Sequence, residues 1–388
     1  MLKCASVYTC EVDDFDLAMS ELNAQLSEKI TLQKNTVGVI MCHLEFIDSG
    51  MLKHVCKTLP FDVAGVTTAS QAVNEKADDV ILTIFIMTSD DIFFKTGMTD
   101  SLENDIYAPA KTAFDNIGLS QMPSLALVFP PLPEKNAGDT YVDAWESVIP
   151  GVPIFGTFST ADTADFLGGK VIHNGEIEEN CMSYIFCYGN IKPRFIIGTF
   201  SEKNALPYKG EITKSYGIYV EEINNIKAYK YFEERGLAKN GEPSKIFTFV
   251  PFLIDQKNRD DYDGVPILRE LVSFTEDGIA IYRGNIDEHS TFKMLQGTFE
   301  DVIEIAEEKL DEAVAHSGIN GILVFSCIAR RMMVMQKDSL GELNVAREKV
   351  GEIPFMMGYA GGEISPTSVK DRGAVNRYHD YTIITMIL

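Results

Sequence analysis

Positive charge is the first thing this sequence is short of. Against 57 aspartates and glutamates it carries only 34 lysines and arginines, a formal net charge of −23 with a pI near 4.6. Such a balance repels polyphosphate, which argues against DNA, RNA and anionic membrane surfaces as partners. Long apolar runs are missing too: nothing approaches the roughly 20 continuous apolar residues that cross a bilayer. The N-terminal stretch lacks a basic start, an apolar middle and a small-residue cleavage site, so the expected location is the cytoplasm. Seven cysteines, odd in number and without a CxxC pair, fit a reducing compartment and offer no zinc spacing. The six histidines form no HxH, HxxxH or HExxH pattern, so no dedicated metal site is expected. The single tryptophan, Trp145, falls on a short helical run and reads as a core anchor.

What the chain does have is repetition. Three times an apolar strand runs into a glycine and then a polar hairpin, at Gly65, Gly156 and Gly358. Each copy follows another buried-looking strand (from 37, 123 and 320) and precedes a third (from 80, 179 and 379), and an amphipathic helix opens each block. The first helix covers 14–30 with Asp13 or Asp14 as cap; the second is interrupted by Pro109; the third carries Val302, Ile305, Ala306, Leu310, Ala313 and Val314 on one face and stops near Gly318. A fourth, degenerate copy is expected between them, with a helix from Ile226 to Leu237 ending near Gly236 or Gly241 and a strand in KIFTFVPFLID. Short strands follow, joined by a hairpin at Glu276, Asp277 and Gly278. At 388 residues and 45% apolar, the chain suits two domains or one body of related halves. The expected fold is α/β with mixed sheets flanked by helices, in two related halves of repeated helix-strand-strand units, residues 1–222 and 223–388.

The last sixty residues carry a recognisable order of motifs. A strand ends in Ser326 and Cys327 with Arg330 close behind; a turn holds Gly358, Tyr359, Gly362, Glu363 and Ile364; a closing strand is introduced by His379, with Thr382 and Thr385. This order resembles the C-terminal domain of the FIST family, and FDVAGVTTASQAV with KGEITKSYGIYVEEINNIKAYKYFEERG resembles its N-terminal domain. The resemblance implies a non-catalytic sensory protein that binds a small ligand. Amino acids are the ligands proposed for the family, while some members bind haem and sense nitric oxide. It also implies output through a separate signalling protein such as a histidine kinase, since this sequence shows no kinase, cyclase or receiver module. In the N-terminal copy Ala69, Ser70 and Gln71 replace the Gly-Glu-Ile of the pattern, so the third glycine copy is where a ligand is expected. Gly65 and Gly156 read as scaffold turns.

The candidate ligand-binding residues are therefore Ser326, Cys327, Arg330, Gly358, Tyr359, Gly362, Glu363 and His379. Arginine offers a planar fork suited to a carboxylate. Three glycines within five residues let the backbone turn sharply, and Glu363 leaves that turn as a lone charge able to hold an ammonium. The same residues also admit structural roles, with Ser326 as a helix cap, the arginines paired to acids and Glu363 accepting backbone bonds. No cofactor is required; the alternative is a haem-dependent nitric oxide sensor with His379 as the axial ligand. A second alternative is a Cys-dependent hydrolase or transferase, in which Cys327 at a helix start has a lowered pKa.

Overall fold

The computed structural model describes residues 1–163, 166–239, 242–243, 250–257, 262–370 and 373–388. Gly241 and much of the KIFTFVPFLID stretch lie outside these described residues. No helix among them is long and apolar enough to cross a membrane.

The protein is mixed α/β, and its repeated units form mixed sheets flanked by helices. Three units share one plan. A first strand (Asn35–Cys42, Leu125–Phe129 or Ile322–Cys327) leads through helix to a parallel partner (Asp62–Thr67, Ile154–Thr157 or Phe355–Ala360). A later strand (Leu82–Ser89, Ser183–Tyr188 or Ile383–Ile387) lies antiparallel on the first strand's other side. An edge strand (Lys3–Thr9, Phe93–Met98 or Arg194–Gly198) completes each row. Runs such as Leu125–Phe129 are apolar at every position because both faces of the sheet are covered.

The opening helices form where their ends are satisfied. Phe15–Lys29 is capped by Asp14, whose side chain accepts from the Leu17 amide. Tyr107–Ile117 tolerates Pro109 because the first turn needs no internal donor there. Phe299–Val314 starts with a capping box of Thr298 and Asp301. Trp145 is fully buried on the Gly138–Val148 helix, as its isolation in the sequence suggests.

Each unit's polar hairpin leaves home. The Gln71–Val73 strand of the first unit pairs with Phe355–Ala360 of the third. Val171–His173 of the second pairs with Asp62–Thr67 of the first. Glu363–Lys370 of the third pairs with Ile154–Thr157 of the second. The exchange is cyclic, so each of these three sheets is finished by a strand from another unit and the N- and C-terminal halves are interleaved.

Two expectations change. The echoed glycines are not turns; all three sit inside the parallel partner strands, facing Ile40, Val128 and Phe325. A Cβ on Gly65 would lie 1.8 Å from the Ile40 carbonyl oxygen, and one on Gly156 1.8 Å from that of Val128. At Gly358 it would instead meet the Met41 sulfur at 2.8 Å. Among the described residues the fourth copy does not form as such. Its predicted helix shrinks to Ala228–Glu233, and the 205–295 stretch forms an antiparallel sheet body with its own core around Ile212, Val220, Phe252 and Phe292. The hairpin at 276–278 does form, joining Leu271–Phe274 to Ala280–Tyr282.

Gly65→Ala and Gly156→Ala should each destabilise by about 3 kcal/mol or more, because the clash is with backbone. Gly358→Ala should cost roughly 1 kcal/mol, since a methionine tip can shift. Urea denaturation of the three variants checks the ranking; a Gly358 variant as damaged as the other two contradicts it.

Candidate functional site

The strand pairings align the three copies and show what only the third contains. Counting from the residue that faces each glycine, Ser326 stands where Met41 and Phe129 stand, and Cys327 where Cys42 and Pro130 stand. In the exchanged hairpins Glu363 occupies the place of Ser70 and Val171. The third copy differs in two of these positions, with the hydroxyl of Ser326 where the others are apolar and the acid of Glu363 where the others are neutral, while Cys327 has a counterpart in Cys42.

Strand alternation sets Ser326 beside Tyr359 on the face covered by helices Ile328–Val334 and Gly341–Val350. There the Ser326 hydroxyl donates to Glu342 Oε2 at 2.9 Å, and Arg330 donates to Glu342 Oε1 from Nε at 3.0 Å and from Nη2 at 2.6 Å. Nη2 also reaches the Val302 carbonyl, tying the long Phe299–Val314 helix to the same point. Arg330 and Glu342 are both 0% exposed. The arginine is thus mostly committed internally: Nη1 alone is buried without a hydrogen-bond partner, so any ligand carboxylate must be met by that nitrogen. Arg331 is held by Asp79 and Asp162. Ser326 does not cap a helix, because its hydroxyl is spent on Glu342. The Tyr359 hydroxyl, buried beside this pair, makes no hydrogen bond of good geometry.

Around the end of the strand lies a second group. Thr382 lends its carbonyl to the Cys327 amide and donates its hydroxyl to Glu363 Oε2 at 2.6 Å. Glu363 Oε1 is buried and unpartnered. Gly362, at φ +126, lets the chain turn just before it, and a Cβ there would strike the Tyr378 ring. Burial first, then neighbouring Asp380, hold the Glu363 carboxyl well above its ordinary range, against the pull of the Thr382 bond and the Arg330 charge. Asp380 accepts from the Tyr378 hydroxyl at 2.6 Å, and burial pushes its pKa up to about 7. Cys327, 2% exposed, is driven the same way by burial and by the charges of Glu363, Asp380 and Glu270. The expected lowering of its pKa is therefore reversed: a dry pocket facing carboxylates disfavours thiolate.

His379 lies across the ladder from Glu363, yet its Nε2 is 3.1 Å from the Ser365 carbonyl and must donate to it. Burial lowers its pKa to about 4, so the ring is neutral. As placed, Nε2 is not open to an iron, and the haem alternative finds no axial ligand through that atom. Among the described residues no group of three or more His, Cys, Asp or Glu could hold a metal ion.

Of the eight sequence candidates, the structure gathers Ser326, Cys327, Arg330, Tyr359 and Glu363 around the strand end, with Gly358 and Gly362 shaping the backbone. His379, across the ladder from Glu363, is instead bonded to the Ser365 carbonyl. Sequence reading missed Glu342, Asp380, Glu270 and Arg283. Asp380 adjoins His379 within a motif already singled out and could have been found; Glu342 is one acid among many on a helix and gives no signal.

Two measurements follow. Glu342→Ala leaves Arg330 buried without its partner and should cost about 3–5 kcal/mol by urea denaturation; a loss below 1 kcal/mol contradicts this. For pH, a carboxyl whose folded pKa is raised favours the folded state most below its unfolded pKa, near 4, and that advantage is lost as pH climbs towards 7. Neutral His379 has the opposite slope between about 4 and its ordinary 6.5, so wild type alone conceals the effect. The Tm of Asp380→Asn minus that of wild type should rise between pH 5 and 7 and level off above; a flat difference means that Asp380 titrates normally.

Comparison with known families agrees with this architecture. Residues 36–226 match the FIST N domain and residues 226–366 the FIST C domain. No individually curated protein matches the chain. FIST domains are associated with small-ligand sensing in signalling proteins and are regarded as sensory rather than catalytic. With the two matches covering most of its length, this chain belongs to the FIST family.

Proposed function

We propose that the protein is a cytoplasmic, non-catalytic sensor of an amino acid, bound in the C-terminal half between Arg330 and Glu363, with output through a separate signalling protein. The observation that carries this reading is a pair of unused atoms, an oxygen of an acid that burial holds towards its neutral form until a cation meets it and a nitrogen of a guanidinium. Glu363 Oε1 and Arg330 Nη1 are both buried without partners, and the Arg330 charge acts on Glu363. An orphaned buried charge costs several kcal/mol unless something completes it. An α-ammonium on the carboxylate and an α-carboxylate on the guanidinium nitrogen would satisfy both atoms with one zwitterion. Tyr359 and Cys327 would border the ligand. Binding would favour one arrangement of the interleaved halves, and a partner protein would read that population shift.

A thermal-shift panel of the common amino acids tests this. A ligand at 100 times its Kd stabilises by about 2.7 kcal/mol, and Glu363→Gln, which keeps the shape and removes the ability to ionise, should abolish the shift. A flat panel, or binding that survives Glu363→Gln unchanged, overturns the assignment.

A further inference from the structure

The side chains of the proposed site are buried. Glu363 and Arg330 are 0% exposed and Cys327 2%. Of the charged groups whose fields reach Cys327, those that keep solvent contact are Glu270 and Arg283, at 20% and 17% side-chain exposure, 3.5 Å apart. Both belong to the 205–295 sheet body rather than to the frame.

That body is attached in a way that permits movement. The chain enters and leaves it side by side, with Ala205 paired to Leu295, so its covalent link is a single two-stranded stalk. Most of its apolar core closes on itself; Leu253, Leu268 and Leu295 are the buried residues it contributes to the third unit's core. Polar contacts hold the rest. Arg269 Nη2 donates to both oxygens of Asp139, at 2.7 and 3.0 Å, and Nη1 to the Tyr378 carbonyl at 3.1 Å. Asp139 also accepts from the Asn285 amide at 2.8 Å. The Glu270 amide donates to Asp380 at 3.3 Å, which joins this contact to the site itself. Gly284 is bare so that the pair can seat: a Cβ there would lie 2.4 Å from Arg269 Nε and 2.8 Å from Asp139 Oδ2.

We propose that the 205–295 sheet body is the gate of the buried site, hinged at its stalk, latched by Asp139 and Arg269, with Glu270 and Arg283 standing at the mouth. This rests on the ligand-site reading above. A buried ion pair suits a latch: its charges attract strongly when dry and are well solvated when parted, which gives two discrete positions rather than a continuum.

Cysteine labelling tests the gate without any ligand. Cys327 lies behind the gate, whereas Cys4, Cys42 and Cys187 are buried elsewhere in the frame and Cys10 is exposed. The intact protein, Asp139→Asn and Gly284→Ala are pulsed with a thiol reagent and each cysteine is quantified by mass spectrometry. Both variants should raise Cys327 modification at least tenfold while Cys4, Cys42 and Cys187 keep their wild-type rates and Cys10 reacts alike throughout. An unchanged Cys327, or one that rises only in step with the other three, overturns the gate. If neither variant folds, wild type in sub-denaturing urea decides: a gate gives Cys327 a shallower urea dependence than Cys4, Cys42 and Cys187, and equal dependences refute it. Because no amino acid is added, a gate that opens alongside a flat ligand panel discards the ligand class and leaves the gate standing.

Discussion

The constraint on which everything else rests is the cyclic exchange of hairpins. A sheet with an unpaired edge is a liability, and here each edge beside a glycine strand is closed by backbone hydrogen bonds from a different unit. The crossing segments also bond to one another, Ala69 to Tyr359, Gly361 to Phe158 and Thr160 to Thr67. No unit can therefore complete its sheet alone, and the stability of each is shared with the other two. The small residues in these crossings follow from the geometry: Gly65 and Gly156 lie against carbonyl oxygens of the neighbouring strand, where no side chain fits.

Within this frame the third unit has been given different contents. Buried charge is expensive, and the unit tolerates it by pairing Arg330 with Glu342 and by anchoring Ser326 and the Val302 carbonyl to the same two side chains. The pair does structural work by tying together three helices, yet it leaves one guanidinium nitrogen unused. Glu363 is similarly half satisfied through Thr382. The structural role of Arg330 and Glu363 is thus incomplete, and each keeps one buried atom for the proposed ligand.

How much of this could be read from the chain depends on the range of the interaction. The strands and opening helices were legible because their signals are local: apolar runs, Asp14 and Thr298 as caps, Pro109 in a first turn. The repeat was legible in Gly65, Gly156 and Gly358, but its meaning was not, since the carbonyls that Gly65 and Gly156 approach and the Met41 sulfur beside Gly358 belong to other strands. The 226–255 stretch reads in sequence as a fourth copy because its short apolar segments resemble strands of either architecture, and only pairing partners distinguish them. The gathering of Ser326, Cys327, Arg330 and Glu363 followed from motif order. Glu342 and Glu270 did not, because nothing local separates a buried acid from a solvated one in a chain so rich in acids.

The exchanged first hairpin has a consequence for how the molecule is made. Asn74, at its tip, is hydrogen-bonded to Gly351, 277 residues away in sequence, and the strand beside it is completed by Phe355–Ala360. During synthesis the first unit leaves the ribosome with that hairpin unpaired and must wait for nearly all of the remaining chain. Contacts of such range are slow to form and leave strand edges open meanwhile. Until then the nascent edge needs protection, and a fragment ending near residue 226 would keep it exposed.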